Sequence, residues 1–157
     1  MIRLTNLADY AVLVMTAAAR TTDARVSAAK IAEATSIPVP TVAKLMGTLA
    51  RGGLLVASRG VAGGFALARA PGEISVAAIV EAVDGPIALT NCLSGESHDC
   101  AIEGRCTVRG HWGPINRAVR AALEAVTLAD LLRPASFERP AAVERLAPAA
   151  VLGEVVA

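Results

Sequence analysis

The stretch "LLVASRGVAGGFALAR" (Leu54–Arg69) sets two short apolar runs on either side of a glycine-rich turn. Runs of this length bounded by glycine read as the strands of a β-hairpin, with Arg59 and Gly60 at a flexible tip. Just upstream, the Gly52–Gly53 pair stops a helix. That helix starts near Val39, because Pro38 and Pro40 are comfortable only in a first helical turn. Its apolar stripe is Val42, Leu45, Met46 and Leu49, which leaves Thr41, Lys44, Thr48 and Arg51 facing outward. "SIPVP" (Ser36–Pro40) is then a turn, and "SAAKIAEAT" (Ser27–Thr35) a short helix capped by Ser27 with Ile31 inward. Helix, turn, helix and hairpin in this order make a winged helix-turn-helix.

The surrounding chain extends this unit. Thr5 caps a first helix to about Arg20, with Leu4, Leu7, Val12 and Met15 at roughly helical spacing, and "TTDAR" (Thr21–Arg25) is a polar connector. "SVAAIVEAV" (Ser75–Val83) reads as a fourth helix stopped by Gly85–Pro86. Farther on, Trp112, Ile115, Val119, Ala122, Leu123 and Val126 form an apolar seam in steps of three and four, with Arg117, Arg120 and Glu124 off it. A small winged unit has little core left to offer such a helix, which points to helix–helix dimerisation. "TLADLL" (Thr127–Leu132) is a short capped helix, and the proline-punctuated end a loosely ordered tail. The expected fold class is mainly α with a small β-hairpin wing, divided into a DNA-binding unit (1–85), a cysteine-rich loop with a long dimerisation helix (86–132), and the tail (133–157).

Composition narrows the function. The chain of 157 residues has a net charge of only +1, unevenly spread. Residues 1–72 hold eight Lys and Arg against three Asp and Glu, whereas residues 73–132 hold four against eight. A basic front and an acidic middle suggest a nucleic-acid face and a separate second function. No run is long enough to span a bilayer. "YAVLVMTAAAR" (Tyr10–Arg20) has Asp9 at its edge and only Arg3 before it, so it reads as a cytosolic helix and not a secretory signal. P-loop, GxSxG, HExxH and paired catalytic carboxylates are all missing, and "RGVAGG" lacks the spacing of a dinucleotide loop. These absences argue against an enzyme or a small-molecule substrate.

All three cysteines fall in "NCLSGESHDCAIEGRCTVRGHW" (Asn91–Trp112), among Gly, Ser and acidic residues without apolar periodicity. Buried structural thiols do not sit in such company. In a reducing cytosol, clustered cysteines serve as metal ligands or redox sensors more readily than as disulfides. Iron–sulfur binding, a zinc site of three cysteines and a histidine, and a thiol switch all remain open from the residues alone.

"RLTNLADYAV" (Arg3–Val12), "LARGGLLVASRGVAGGFAL" (Leu49–Leu67), "AAIVEAVDGPI" (Ala77–Ile87), the three spaced cysteines and "HW" follow one another in order. Over about residues 1–132 the chain thereby resembles the iron–sulfur-dependent winged-helix transcriptional regulators of bacteria, the IscR/NsrR-like family. "CAIEGRCTVRGHW" (Cys100–Trp112) looks closest to the branch that regulates sulfur-mobilisation (SUF) machinery for cluster assembly. The resemblance implies a cytoplasmic homodimer on a palindromic double-stranded DNA operator. It also implies one cluster per protomer, 2Fe–2S or 4Fe–4S, held by Cys92, Cys100 and Cys106 and controlling DNA affinity. The gap of seven residues from Cys92 to Cys100 is looser than the five of well-known members.

A fourth ligand is needed. IscR-like members keep a histidine three positions after the last cysteine, where this chain has Arg109; His111 stands two residues later. In NsrR-like members an aspartate on the first helix, of the same protomer or its partner, completes the site, and Asp9 matches it. His98, a thiol or water are the remaining candidates. For DNA, the third helix should enter the major groove by its N-terminal turn, with Thr41 and Lys44 near bases and phosphates and Arg51 on phosphate. Arg59, followed by Gly60, matches the family's wing and suits a narrow minor groove. Family members carry longer polar side chains where this chain has Thr41, Ala43 and Lys44.

Overall fold

The computed structural model describes residues 3–60, 63–93, 100 and 102–134. Six α-helices and one two-stranded sheet occur among them: α1 (Asn6–Arg20), α2 (Ala28–Thr35), α3 (Val39–Arg51), β1 (Leu55–Ser58), β2 (Gly64–Leu67), α4 (Val76–Asp84), α5 (Arg109–Glu124) and α6 (Leu128–Leu132). The mainly helical class with a hairpin wing is confirmed. The expected tail lies outside the described residues from 135 onward, as does His98.

Local chemistry accounts for each boundary. The hydroxyls of Thr5, Ser27, Ser75 and Thr127 accept from the backbone N–H groups of Ala8, Lys30, Ala78 and Asp130, so four helices start on hydroxyl caps. Ser36 ends α2 in the left-handed region, at φ +58°, and the buried Ile37 pins the turn from beneath. Between β1 and β2, Gly60 has φ +105°, a conformation open to glycine at little cost. A Cβ on Gly63 would stand 2.6 Å from the Ser58 carbonyl oxygen, so the tip closes only around glycine.

The antiparallel register pairs Leu55 with Leu67 and Ser58 with Gly64. The connector adds a third edge. Val26 and Phe65 exchange both backbone hydrogen bonds at 2.9 Å, tying the wing to the segment between α1 and α2. Nothing in "TTDAR" marks this bridge in advance.

One apolar core joins α1 (Ala11, Val14, Met15), α2 (Ile31), α3 (Val42, Leu45, Met46, Leu49), the hairpin (Leu54, Leu55) and α4 (Ile79). The α3 stripe is as expected, and that of α1 is half so: Met15 is buried and Val12 packs on the core, whereas Leu4 and Leu7 do not. Ala8, Ala11, Val14 and Met15 are buried, while Leu4, Leu7, Tyr10 and Leu13 remain 37–45% exposed. Two alanines lie on the inward face, Ala8 and Ala11, where α1 packs on α4, and Leu7, Tyr10 and Leu13 are left uncovered.

Leu128 of α6 is fully buried in this same core. It gets there through a short main-chain bridge: the Val76 N–H donates to the Val126 carbonyl and the Leu128 N–H to the Ile74 carbonyl, both at 2.8 Å. Segment 86–132 thus contributes a helix to the core of segment 1–85. By contrast, α5 buries none of its residues. Leu123 packs on a smaller cluster of Ala8, Val76 and Val80, but Ile115 is 45% exposed.

Candidate nucleic-acid interface and cysteine pocket

The helix-turn-helix and the wing display the predicted basic side chains. Lys44, Arg51 and Arg59 are exposed, and Thr41 is half-buried in the first turn of α3. Arg51 donates to Thr48 Oγ1 at 2.9 Å, which orients its guanidinium along the helix. Lys30, on α2, pairs with Asp23. Proline at 38 and 40 removes two N–H groups from the start of α3, so charge at this face comes from side chains more than from the helix end.

The second site is a pocket of about 560 Å³ lined by Thr90, Asn91, Cys92, Cys100, Ile102, Cys106, Val108 and Trp112. All three cysteines are free thiols and all three reach it. Cys92 sits in a short 3-10 turn (Asn91–Leu93), half-buried, its sulfur 3.2 Å from Thr90 Oγ1. Cys106, also half-buried, lies between the turn Glu103–Arg105 and α5, and Cys100 is exposed. Trp112 closes one side from the first turn of α5.

The candidate fourth ligands stand apart from the thiols. His111 is exposed and does not line the pocket, one position being 100° around the helix from Trp112. Asp9 lies on the exposed face of α1 beside Tyr10 and Leu13, outside the pocket of its own chain. Among the described residues, no three His, Cys, Asp or Glu side chains stand at metal-ligand spacing. The structure therefore gathers three soft donors around one space without closing them on a point.

Sequence reasoning missed how this pocket is fastened to the winged unit. The Asn116 side chain donates to the Ile87 carbonyl at 2.8 Å and accepts from the Leu89 N–H at 3.0 Å, bracing the loop that leads to Cys92. One turn later, Arg120 donates through Nε to Glu81 Oε1 (2.8 Å), through Nη2 to Glu81 Oε2 (3.2 Å) and through Nη1 to Glu124 (2.8 Å). Donation from Arg120, and then its charge and the Ile87 N–H, hold the Glu81 carboxyl below its ordinary range against the opposing effect of burial. At the far end of α4, Asp84 accepts from Thr5 Oγ1 at 2.9 and 3.0 Å, locking α4 to the start of α1. The i,i+4 pair Arg120–Glu124 is visible in sequence. Its long-range partner Glu81 is not.

A helix-turn-helix with a basic-tipped wing, coupled through α4 to a thiol-lined pocket, defines a winged-helix DNA-binding regulator. Residues 4–134 match the Rrf2 family, described as iron-dependent transcriptional regulators, and the chain belongs to that family. It is 31% identical over 131 residues to the HTH-type transcriptional regulator IscR of Yersinia pestis, covering 83% of this chain and 79% of that protein. An rrf2-like HTH-type regulator of Rhodobacter capsulatus is 32% identical over 88 residues, which span 54% of this chain and 59% of that protein.

Among solved structures, CymR, the global cysteine regulator of B. subtilis, superposes with TM-score 0.65 at 26% identity, covering 84% of this chain and 97% of its own. IscR of T. potens superposes with TM-score 0.62, over 90% of this chain and 96% of its own, and at 24% identity bears on the fold alone. These relatives are transcriptional regulators and not enzymes. No helix among the described residues is long and apolar enough to cross a membrane.

Proposed function

We propose that this chain is a cytoplasmic homodimeric regulator that binds a palindromic double-stranded DNA operator, with the cysteine pocket controlling that affinity through an iron–sulfur cluster. The single observation that carries the reading is the convergence of Cys92, Cys100 and Cys106 on one pocket braced against α4 by Asn116 and Arg120. Thiolates are the soft donors that iron–sulfur clusters take, and three of four ligands come from one protomer. Asp9, exposed on α1, is available to a neighbouring protomer as the fourth. His111 is the weaker alternative.

When bound, the cluster would supply coordination sensitive to iron, oxidants or nitric oxide. The residues of the chain do the rest. Trp112, Ile102 and Val108 give the pocket an apolar wall, Asn116 holds the Cys92 loop, and the Arg120–Glu81 pair ties α5 to the fourth helix of the winged unit. Thr41, Lys44 and Arg51 of α3, with Arg59 and Gly60 of the wing, meet the DNA. The part of the α5 seam left exposed, at Ile115, meets the second protomer. The genes controlled would be those of SUF-type cluster assembly or of redox and nitric oxide stress.

A cluster-free reading, with the thiols sensing oxidation directly, is favoured by one observation: no three donors stand at ligand spacing among the described residues, which tells against zinc as much as against a cluster. Anaerobic purification with iron, sulfide and zinc analysis, followed by operator binding of metal-loaded and stripped protein, decides between them. Brown protein holding iron and sulfide, with operator affinity that changes on stripping, supports the cluster. Colourless protein whose binding follows zinc or thiol oxidation sinks it.

A further inference from the structure

The exposed first turn of α3 is poor in hydrogen-bonding groups. Pro38, Val39 and Pro40 are all exposed, and Val39 keeps 47% of its surface open to solvent. Ala43, one turn on, continues the same face and is also exposed, since residues four apart stack on a helix. Gly47 follows, where an added Cβ would meet only the Arg51 guanidinium, at 3.7 Å. The larger apolar side chains of α3, Val42, Leu45, Met46 and Leu49, fill the buried stripe of the helix, and Val39, at the edge of that stripe in the first turn, stays outside the core.

Polar groups available for base edges are few. Thr48 is engaged by Arg51, Thr41 is half-buried, and Lys44 offers donors but no acceptor. A first turn of this kind cannot make the bidentate donor–acceptor pair that reads adenine, and any guanine contact falls to the Lys44 ammonium one turn on. It can make the one apolar contact that the major groove offers, which is with the 5-methyl group of thymine. The low relief at Ala43 and Gly47 lets the helix backbone approach the groove closely. Basic side chains on either side, Lys44 on α3 and Arg59 on the wing, match the phosphate charge that would flank it.

We propose that Val39, with Ala43 behind it, is the specificity-determining element of α3 and reads thymine methyl groups in the major groove. This rests on the DNA-binding reading above and names what the DNA must present. The preferred operator half-site carries thymine where α3 enters. Arg51 and Arg59 supply affinity with little base preference.

The test uses the full-length protein and duplexes enriched by it from a random-sequence pool. Each thymine of the enriched duplex is replaced in turn by deoxyuridine, which removes only the 5-methyl group. At one or more positions of each half-site, wild-type protein should lose affinity about fourfold, the factor for burying one methyl-sized group. Val39→Ala should bind the thymine and deoxyuridine duplexes equally at those positions, and Val39→Ile should restore the difference. Deoxyuridine that is neutral at every position, or a Val39→Ala protein that keeps the full discrimination, overturns the assignment while leaving regulated DNA binding intact. Failure to enrich any duplex would bring down both readings together.

Discussion

Asn116 donates its side-chain amide to the carbonyl oxygen of Ile87 at 2.8 Å, joining the long helix α5 to the loop that delivers Cys92. The same amide accepts from Leu89, so a single side chain satisfies two main-chain groups of a segment without secondary structure of its own. Position along the loop is thereby fixed in both directions. Asn116→Ala should leave both groups unpaired in a partly buried setting, at a cost of about 1–2 kcal/mol. Thermal melting measures that cost, and the rate of thiol modification at Cys92 should rise. An unchanged modification rate would show that the amide does not hold the loop.

The Glu81–Arg120 pair carries a pH signature. Arg120 holds the folded-state Glu81 carboxyl below its unfolded value, so the stabilisation is complete above the unfolded value and is lost as pH falls through the depressed folded one. Acid should therefore loosen α5 from α4 below the usual carboxylate range, with no effect near neutrality. Glu81→Gln should flatten this part of a stability–pH profile, measured by denaturant midpoints across the acid range.

Leu128, from the last helix among the described residues, is fully buried in the main core. Leu128→Ala should destabilise the fold by about 2–5 kcal/mol, the range for emptying a fully buried leucine site. Chemical denaturation should show the loss in the winged unit itself, through a cooperative transition that includes α3. A separate early transition, with the winged unit unaffected, would contradict the shared core.

Arg59 and the two candidate fourth ligands separate the DNA and metal roles. Arg59→Ala should weaken operator binding by roughly 1–2 kcal/mol and lower the salt dependence by about one ion. It should leave the metal content untouched. Asp9→Ala should alter the visible spectrum of anaerobically prepared protein, whereas His111→Ala should not. A reversed pattern would move the fourth ligand to α5.

Much of the fold could be read because its signals are local. Hydroxyl caps at Thr5, Ser27, Ser75 and Thr127 and glycine punctuation at Gly52 and Gly60 act within a few residues. The inward face of α1 is legible at Val12 and Met15 but not at Ala8 and Ala11, because close packing on α4 takes alanines while an apolar count favours Leu4 and Leu7, which lie outside. The three cysteines were legible as a group from their company, and the pocket now gathers them. Their fastening was not, because Asn116 and Arg120 act on partners far away in the chain. An asparagine or arginine beside an apolar seam looks the same whether it faces water or a distant carbonyl. The Val26–Phe65 and Ser75–Thr127 bridges are equally silent, being made by backbone that any side chain would allow.

The bridge at Ser75 and Thr127 also changes what the cysteine segment is in polymer terms. Residues between these two points form a closed loop rooted in the hydrophobic core, not a free arm hanging from it. The chain entropy of bringing the loop's ends together is lost when the winged unit folds, before any metal or partner arrives. Assembly at the thiols then has to order only the stretch around them, and whatever happens there is transmitted through two anchored ends.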